Sequence, residues 1–256
     1  KLAKKLTRGL SGFVNAVLRS VLRECDSISI GELAKSEAEE ISFIYNQPLW
    51  LVTLWMNEMG KDKTVDLCAW FNEQPRLTAR INTVKVSIED CIKELQNLGW
   101  TIEQDKDIPE VVYINSHQGH LEKAKPVIEG HITFMDKASM LVAHVVDPQP
   151  GDRILDCCAA PGGKSMHMAS LMNNTGAIMS CDIYDHKLDL MNQNAERLGV
   201  SIVSTKLQDG RYLPDNWKEQ FDRVLVDAPC SGLGILQKKL DMRWRKTEDL
   251  LNELPP

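Results

Sequence analysis

Apolar positions open the chain at helical spacing. Leu6, Leu10, Phe13, Val14, Val17, Leu18, Val21 and Leu22 share a face, so residues 2–23 are predicted as an amphipathic helix whose stripe needs a partner. Residues 31–72 also read as helical and offer one. Trp50, Leu51, Leu54, Trp55 and Leu67 are expected in that core. The pattern then shortens. Residues 79–82 read as a strand, and Ser87 with Asp90 three positions on is a capping-box signal. A helix over 88–98 stops at Gly99, and strand-like runs follow at 100–102 and 111–114.

From residue 130 the pattern alternates. Strands are predicted at 132–134, 153–158, 177–183, 202–207 and 221–228, with helices at 137–146, 164–172 and 185–198. Such alternation implies a parallel sheet covered on both faces, an α/β fold. No repeat is evident.

Composition narrows the class. The 256 residues are 43% hydrophobic and 26% charged, the balance of a soluble globular chain. No apolar run approaches the roughly 20 residues of a membrane helix. The net charge of −6 excludes a globally basic nucleic-acid coat, yet the charge is uneven. Residues 1–23 hold six basic groups and no acid, residues 24–74 hold ten acids and three bases, and residues 237–246 hold five bases and one acid. Alone, each stretch reads as a solvated helix face; together they can steer a polyanion. Arg76, Arg80 and Lys85 are further candidate phosphate contacts. Seven irregularly spaced cysteines argue against a disulfide framework and for a reducing, cytoplasmic compartment. There is no C-x-x-C, and no metal site is expected.

Two motifs carry chemistry. In Ile154–Lys164 (ILDCCAAPGGK) an apolar strand enters a loop of small residues and then a helix. Small residues admit a ligand to the backbone, and the helix start offers free N–H groups and positive potential. A phosphate loop is the competing reading, since Gly163-Lys164-Ser165 matches its end. Its first glycine would fall at Cys158, however, and Pro161 removes a donor, which weighs against an NTPase. A nucleoside instead needs acids at strand ends, and Asp182, Asp209 and Asp227 stand at three successive ones. Each alone is an ordinary loop acid; the series points to S-adenosylmethionine. The second motif, Asp227-Ala228-Pro229-Cys230-Ser231-Gly232, adds a thiol beside the last acid. A lone cysteine is usually a packing residue, but this setting favours chemistry.

Together these motifs resemble the RNA cytosine-C5 methyltransferases, most closely the bacterial small-subunit ribosomal RNA methyltransferase B (Sun/Fmu-like) type. Gly9–Arg23 resembles the last helix of that family's NusB-like RNA-binding domain. Arg80-Ile81-Asn82 resembles its R-x-N element, and Gly130–Ser139 the lead into its catalytic domain, with Met135 where the family usually has Gln. Asp241–Lys246 is similar to the segment after the Pro-Cys motif.

The resemblance implies a Rossmann-like class I methyltransferase sheet, preceded by a small α/β RNA-recognition-like subdomain and a helical N-terminal segment. The expected boundaries are 1–30, 31–125 and 126–256. It also implies that Cys158, Ala159, Ala160, Pro161, Gly162, Gly163 and Lys164 line the cofactor loop. Asp182 would hold the ribose, Asp209 would lie by the adenine, and Asp227 by the methionine moiety and target base. Arg80 and Asn82 would meet RNA. A thiolate adds to C6 of cytosine, C5 attacks the donated methyl, and loss of the C5 proton with thiol elimination restores the ring. Cys230 matches the thiol that assists release. The attacking cysteine of the family sits in a later Thr-Cys motif, and no Thr-Cys pair occurs in these 256 residues. The expectation is therefore a chain short at both ends, with strand 221–228 at an open edge, that binds cofactor and does not methylate alone. A catalytically inactive RNA-binding or assembly module is the alternative.

Overall fold

The computed structural model describes residues 9–24 and 33–249. Leu6, Cys25 and the last seven residues lie outside them. The chain divides into two compact units, residues 1–75 with 231–256, and residues 76–230. This division cuts the expected 31–125 segment at Pro75 and joins the small sheet to the parallel one.

The first unit is helical: α1 (Ser11–Glu24), α2 (Glu37–Tyr45), α3 (Leu49–Met59) and α4 (Lys61–Asn72). Ser36 starts α2 by accepting a hydrogen bond from the Glu39 amide. The core gathers Ile41, Leu51, Val52, Trp55, Cys68 and Phe71 with Leu236, Trp55 stacking on Phe71 at 5.5 Å. Trp50, Leu54 and Leu67 pack against it, as their spacing predicts. The stripe of α1 behaves differently: none of its residues is buried, and Phe13, Leu18 and Leu22 are exposed. Arg243, in the basic stretch, is buried. It donates to the carbonyls of Phe71 and Leu236 and to Asn72 Oδ1 at 2.7 Å, so its charge is spent on packing.

The second unit holds two sheets. In the first, β1 (Leu77–Ile81), β2 (Thr101–Gln104), β3 (Val111–Ser116) and β4 (Ile132–Phe134) run antiparallel in the order β2-β3-β1-β4. Helix α5 (Ile88–Asn97) covers one face and buries Cys91 and Leu95 against Ala79, Ile81, Val112 and Ile132. Its capping box forms as predicted, Ser87 Oγ accepting from the Asp90 amide at 3.1 Å. A short helix, α6 (Lys125–Ile128), precedes β4.

The second sheet is parallel, from β5 (Arg153–Asp156), β6 (Ala177–Asp182), β7 (Val203–Leu207) and β8 (Arg223–Leu225), in the order β7-β6-β5-β8. Helices α7 (Lys137–Val146), α8 (Gly163–Leu171) and α9 (Asp185–Leu198) accompany it. Its core joins Ile154, Ile178 and Leu225 to Met166, Met168 and Met172. Strand β8 is shorter than the predicted 221–228. Its partner β5 turns away after Asp156, so pairing stops at Asp156 and Leu225, and only the Cys157 amide reaches back to the Leu225 carbonyl. β8 lies at the sheet edge, with Val224 54% and Val226 64% exposed.

Candidate cofactor and active site

The crevice begins where β5 ends. Asp156 is buried, and its Oδ2 accepts from Ser165 Oγ at 2.6 Å, which in turn accepts from Ser180 Oγ. Burial pushes the Asp156 carboxyl up to about 6, against the pull of the Ser165 bond. The loop then folds tightly on its neighbours. The Ala159 amide bonds the Cys181 carbonyl at 2.8 Å, and the Gly162 amide bonds the Ala159 carbonyl at 2.7 Å. The Ala160–Pro161 peptide is cis. Gly162 sits at φ 96°, and a Cβ there would press Met191 at 3.1 Å. Helix α8 starts at Gly163, and its first N–H groups receive no side-chain cap.

Three acids come from the ends of three strands, the neighbours β6 and β7 and, on the far side of β5, β8. Asp182 closes β6, accepts from the Tyr184 amide at 3.1 Å, and faces Lys187 at 3.6 Å. Asp209, just past β7, is gripped by Arg211, whose Nη2 lies 2.7 Å from Oδ2 and holds the carboxyl down at about 2. Asp227, two residues past β8, is half exposed and paired with Lys164. The structure therefore joins the cofactor loop to the last acid through one ion pair. Gly210 packs closely on the start of the loop: a Cβ there would meet Cys157 Cβ at 3.3 Å. Cys230 is exposed, and Cys158 is half-buried with its thiol pushed up by burial and by the surrounding acids.

Arg80 and Asn82 are both fully buried. The Asn82 amide donates to the carbonyls of Gly130 and Leu198, each at 2.8 Å, which makes it a clamp between the two sheets' elements. Lys85 is spent on the carbonyls of Glu129 and Arg197, and Arg76 lies over Tyr113 and pairs with Glu103.

One buried network escaped the sequence reading. Glu110 Oε1 receives His144 Nε2 at 2.6 Å and His167 Nε2 at 2.9 Å. Burial raises the Glu110 carboxyl, but the two imidazoles outweigh it and hold it down at about 2. Burial likewise drives His167 down to about 4. The three side chains come from positions far apart in the chain, so no local spacing announces them.

Comparison with known families settles the kinship. The family of 16S rRNA methyltransferases RsmB/F matches residues 143–256, and its ferredoxin-like domain matches residues 47–119. This chain belongs to the RsmB/F methyltransferase family. A probable ribosomal RNA small subunit methyltransferase B of Bacillus subtilis (strain 168) is 34% identical over 94% of this chain and 54% of its own length. The Synechocystis sp. relative of the same name is 34% identical over 97% of this chain and 56% of its own. The chain spans about half the length of the curated relatives it matches. A crystal structure of a methyltransferase homolog from Pyrococcus horikoshii is 25% identical, with a TM-score of 0.71, covering 87% of this chain and 75% of that one. The parallel sheet of this RsmB/F member is thus a Rossmann-like methyltransferase sheet. Among the described residues, no helix is long and apolar enough to cross a membrane.

Proposed function

We propose that the chain forms the cofactor-binding part of an S-adenosylmethionine-dependent enzyme that methylates C5 of a cytosine in small-subunit ribosomal RNA. One observation carries the reading. Asp182, Asp209 and Asp227 stand at the ends of three strands around the loop 158–164, and an exposed thiol, Cys230, follows the last of them.

The residues fit such a cofactor. The loop holds its shape through close packing at Gly162 and Gly210, where a Cβ would press Met191 and Cys157. Asp182 is a ribose acceptor at the position where nucleoside-binding sheets carry one. Asp209, already oriented by Arg211, would sit by the adenine. The bound cofactor supplies an electrophilic methyl group. The protein's task is then positional. Lys164 orients Asp227 through their ion pair, and Asp227 meets the target base. Cys230 assists release, in which a base takes the C5 proton, the bond from C6 to the sulfur of the family's attacking cysteine breaks, and the ring regains its double bond. The base must leave its stack to reach the pocket, and the small antiparallel sheet is assigned to the RNA side.

Isothermal titration of the chain with S-adenosylmethionine, and with ATP as control, tests this. Binding of the methyl donor alone is expected, weakened about tenfold or more in D182A by loss of a hydrogen-bonded carboxylate. ATP binding without response to the methyl donor overturns it.

A further inference from the structure

A cleft of about 180 Å³ lies against one side of the cofactor loop. Arg80, Thr133, Met135, Gly163, Asn194 and Arg197 line it, and none of its lining residues is acidic. The volume falls below the roughly 300 Å³ at which sites for organic ligands begin. Three sources of positive potential meet there.

The first is Arg80. It is closed to water, and its Nε and Nη1 have no acceptor. A buried guanidinium left half-unpaired is costly, as any unmet buried polar group is. Glu110 offsets part of the charge, but its Oε1 is occupied by His144 and His167. Met135 contributes only a thioether, a weak acceptor. The second source is Arg197. Its Nη1 is fixed on the Val127 carbonyl at 2.8 Å, while Nη2 is shared between Thr133 Oγ1 at 3.2 Å and Asn194 Oδ1 at 3.3 Å. Those long contacts are readily exchanged for a stronger acceptor. The third is the start of α8 at Gly163, nine residues long and without a side-chain cap.

We propose that this cleft seats a phosphate-type oxyanion, with Arg80 and Arg197 as its charged donors and the start of α8 behind it. Its source in the working enzyme is a phosphodiester of the RNA strand, a step that rests on the RNA-methylation reading above. Arg80 borders the cleft but has no exposed surface of its own. Seating the anion requires Met135 and Met166 to give way, and methionine is the most adaptable of core side chains. Arg80 thereby meets RNA by capturing one backbone group, and carries no base recognition.

The test titrates inorganic phosphate into the full chain, with chloride at matched ionic strength as control, and then a short single-stranded RNA. Phosphate is expected to bind, and R80M and N194D each to weaken it about tenfold, the worth of one charge-assisted contact. Asn194 is partly exposed and its replacement isosteric, so N194D keeps the test alive if R80M does not fold. RNA affinity should fall in both variants, with a salt dependence shallower by about one counterion. Equal responses to phosphate and chloride overturn the site. Phosphate binding lost in N194D with RNA affinity and its salt slope unchanged overturns the phosphodiester as its source. A wild-type chain that takes phosphate but no S-adenosylmethionine would sink the methyltransferase reading and leave the anion site standing.

Discussion

Cys230 differs from most described cysteines in one property that decides reactivity. It is exposed, whereas Cys68, Cys91, Cys157 and Cys181 are buried. Burial pushes the Cys68 thiol up to about 11 and those of Cys91 and Cys181 up to about 12. Only a thiolate attacks an alkylating agent. Iodoacetamide followed by peptide mass mapping should therefore modify Cys230 first among the described cysteines, with Cys91 and Cys181 protected until the chain unfolds. Modification of Cys181 at an equal rate would contradict the packing around it. The place of this thiol was legible in the sequence, because Asp-Ala-Pro-Cys after an apolar run puts it at a strand's exit. The burial of Arg80 was not. A charged residue in a five-residue strand carries no local sign of burial, and the groups that surround Arg80, Glu110, His167 and Arg197 among them, are remote from it in sequence.

At the scale of elements, Asn82 does what no local rule foretells. It follows β1 and ties that strand's end to Gly130 before β4 and to Leu198 at the end of α9. The approach is close enough that a Cβ on Gly130 would lie 2.2 Å from the Arg197 carbonyl oxygen. N82A strands two buried carbonyls, and a loss of about 2–4 kcal/mol is expected from two unmet acceptors. N82D is expected to be worse, since a carboxylate would face the same two oxygens. Urea unfolding reads both; a loss below about 1 kcal/mol in N82A, the worth of an ordinary surface change, would show that water replaces the amide. Element identity was legible where the signal is local. The Ser87 cap, the stop at Gly99 and helix 185–198 all stand where the pattern puts them. The length of β8 was not, because a strand ends when its partner does. Nor was the exposed stripe of α1, since an apolar face in the sequence carries no record of what covers it.

Over the whole molecule, two buried groups set opposite responses to pH. Asp156 titrates near 6 in the fold and 3.8 when free, so the folded state holds its proton longer, and stability falls as pH rises from about 4 to 6. His167 titrates near 4 in the fold and 6.5 when free. There the unfolded chain takes the proton first, and stability rises with pH across nearly the same window. Glu110, held at about 2, adds stability that is present well above 4.5 and is lost progressively as pH falls from there through its folded value. The native chain should thus change little between about pH 5 and 6, since two slopes cancel. D156N removes one of them. Its stability is expected to climb with pH through that window and to exceed the native chain's at neutral pH by on the order of 2–3 kcal/mol, the cost of the buried charge. H167Q should do the reverse and lose stability as pH rises. Urea midpoints measured in steps across the window decide the matter. Parallel profiles for D156N and the native chain would mean that Asp156 keeps its charge at no cost, and that the Ser165–Ser180 relay solvates it far better than its burial implies.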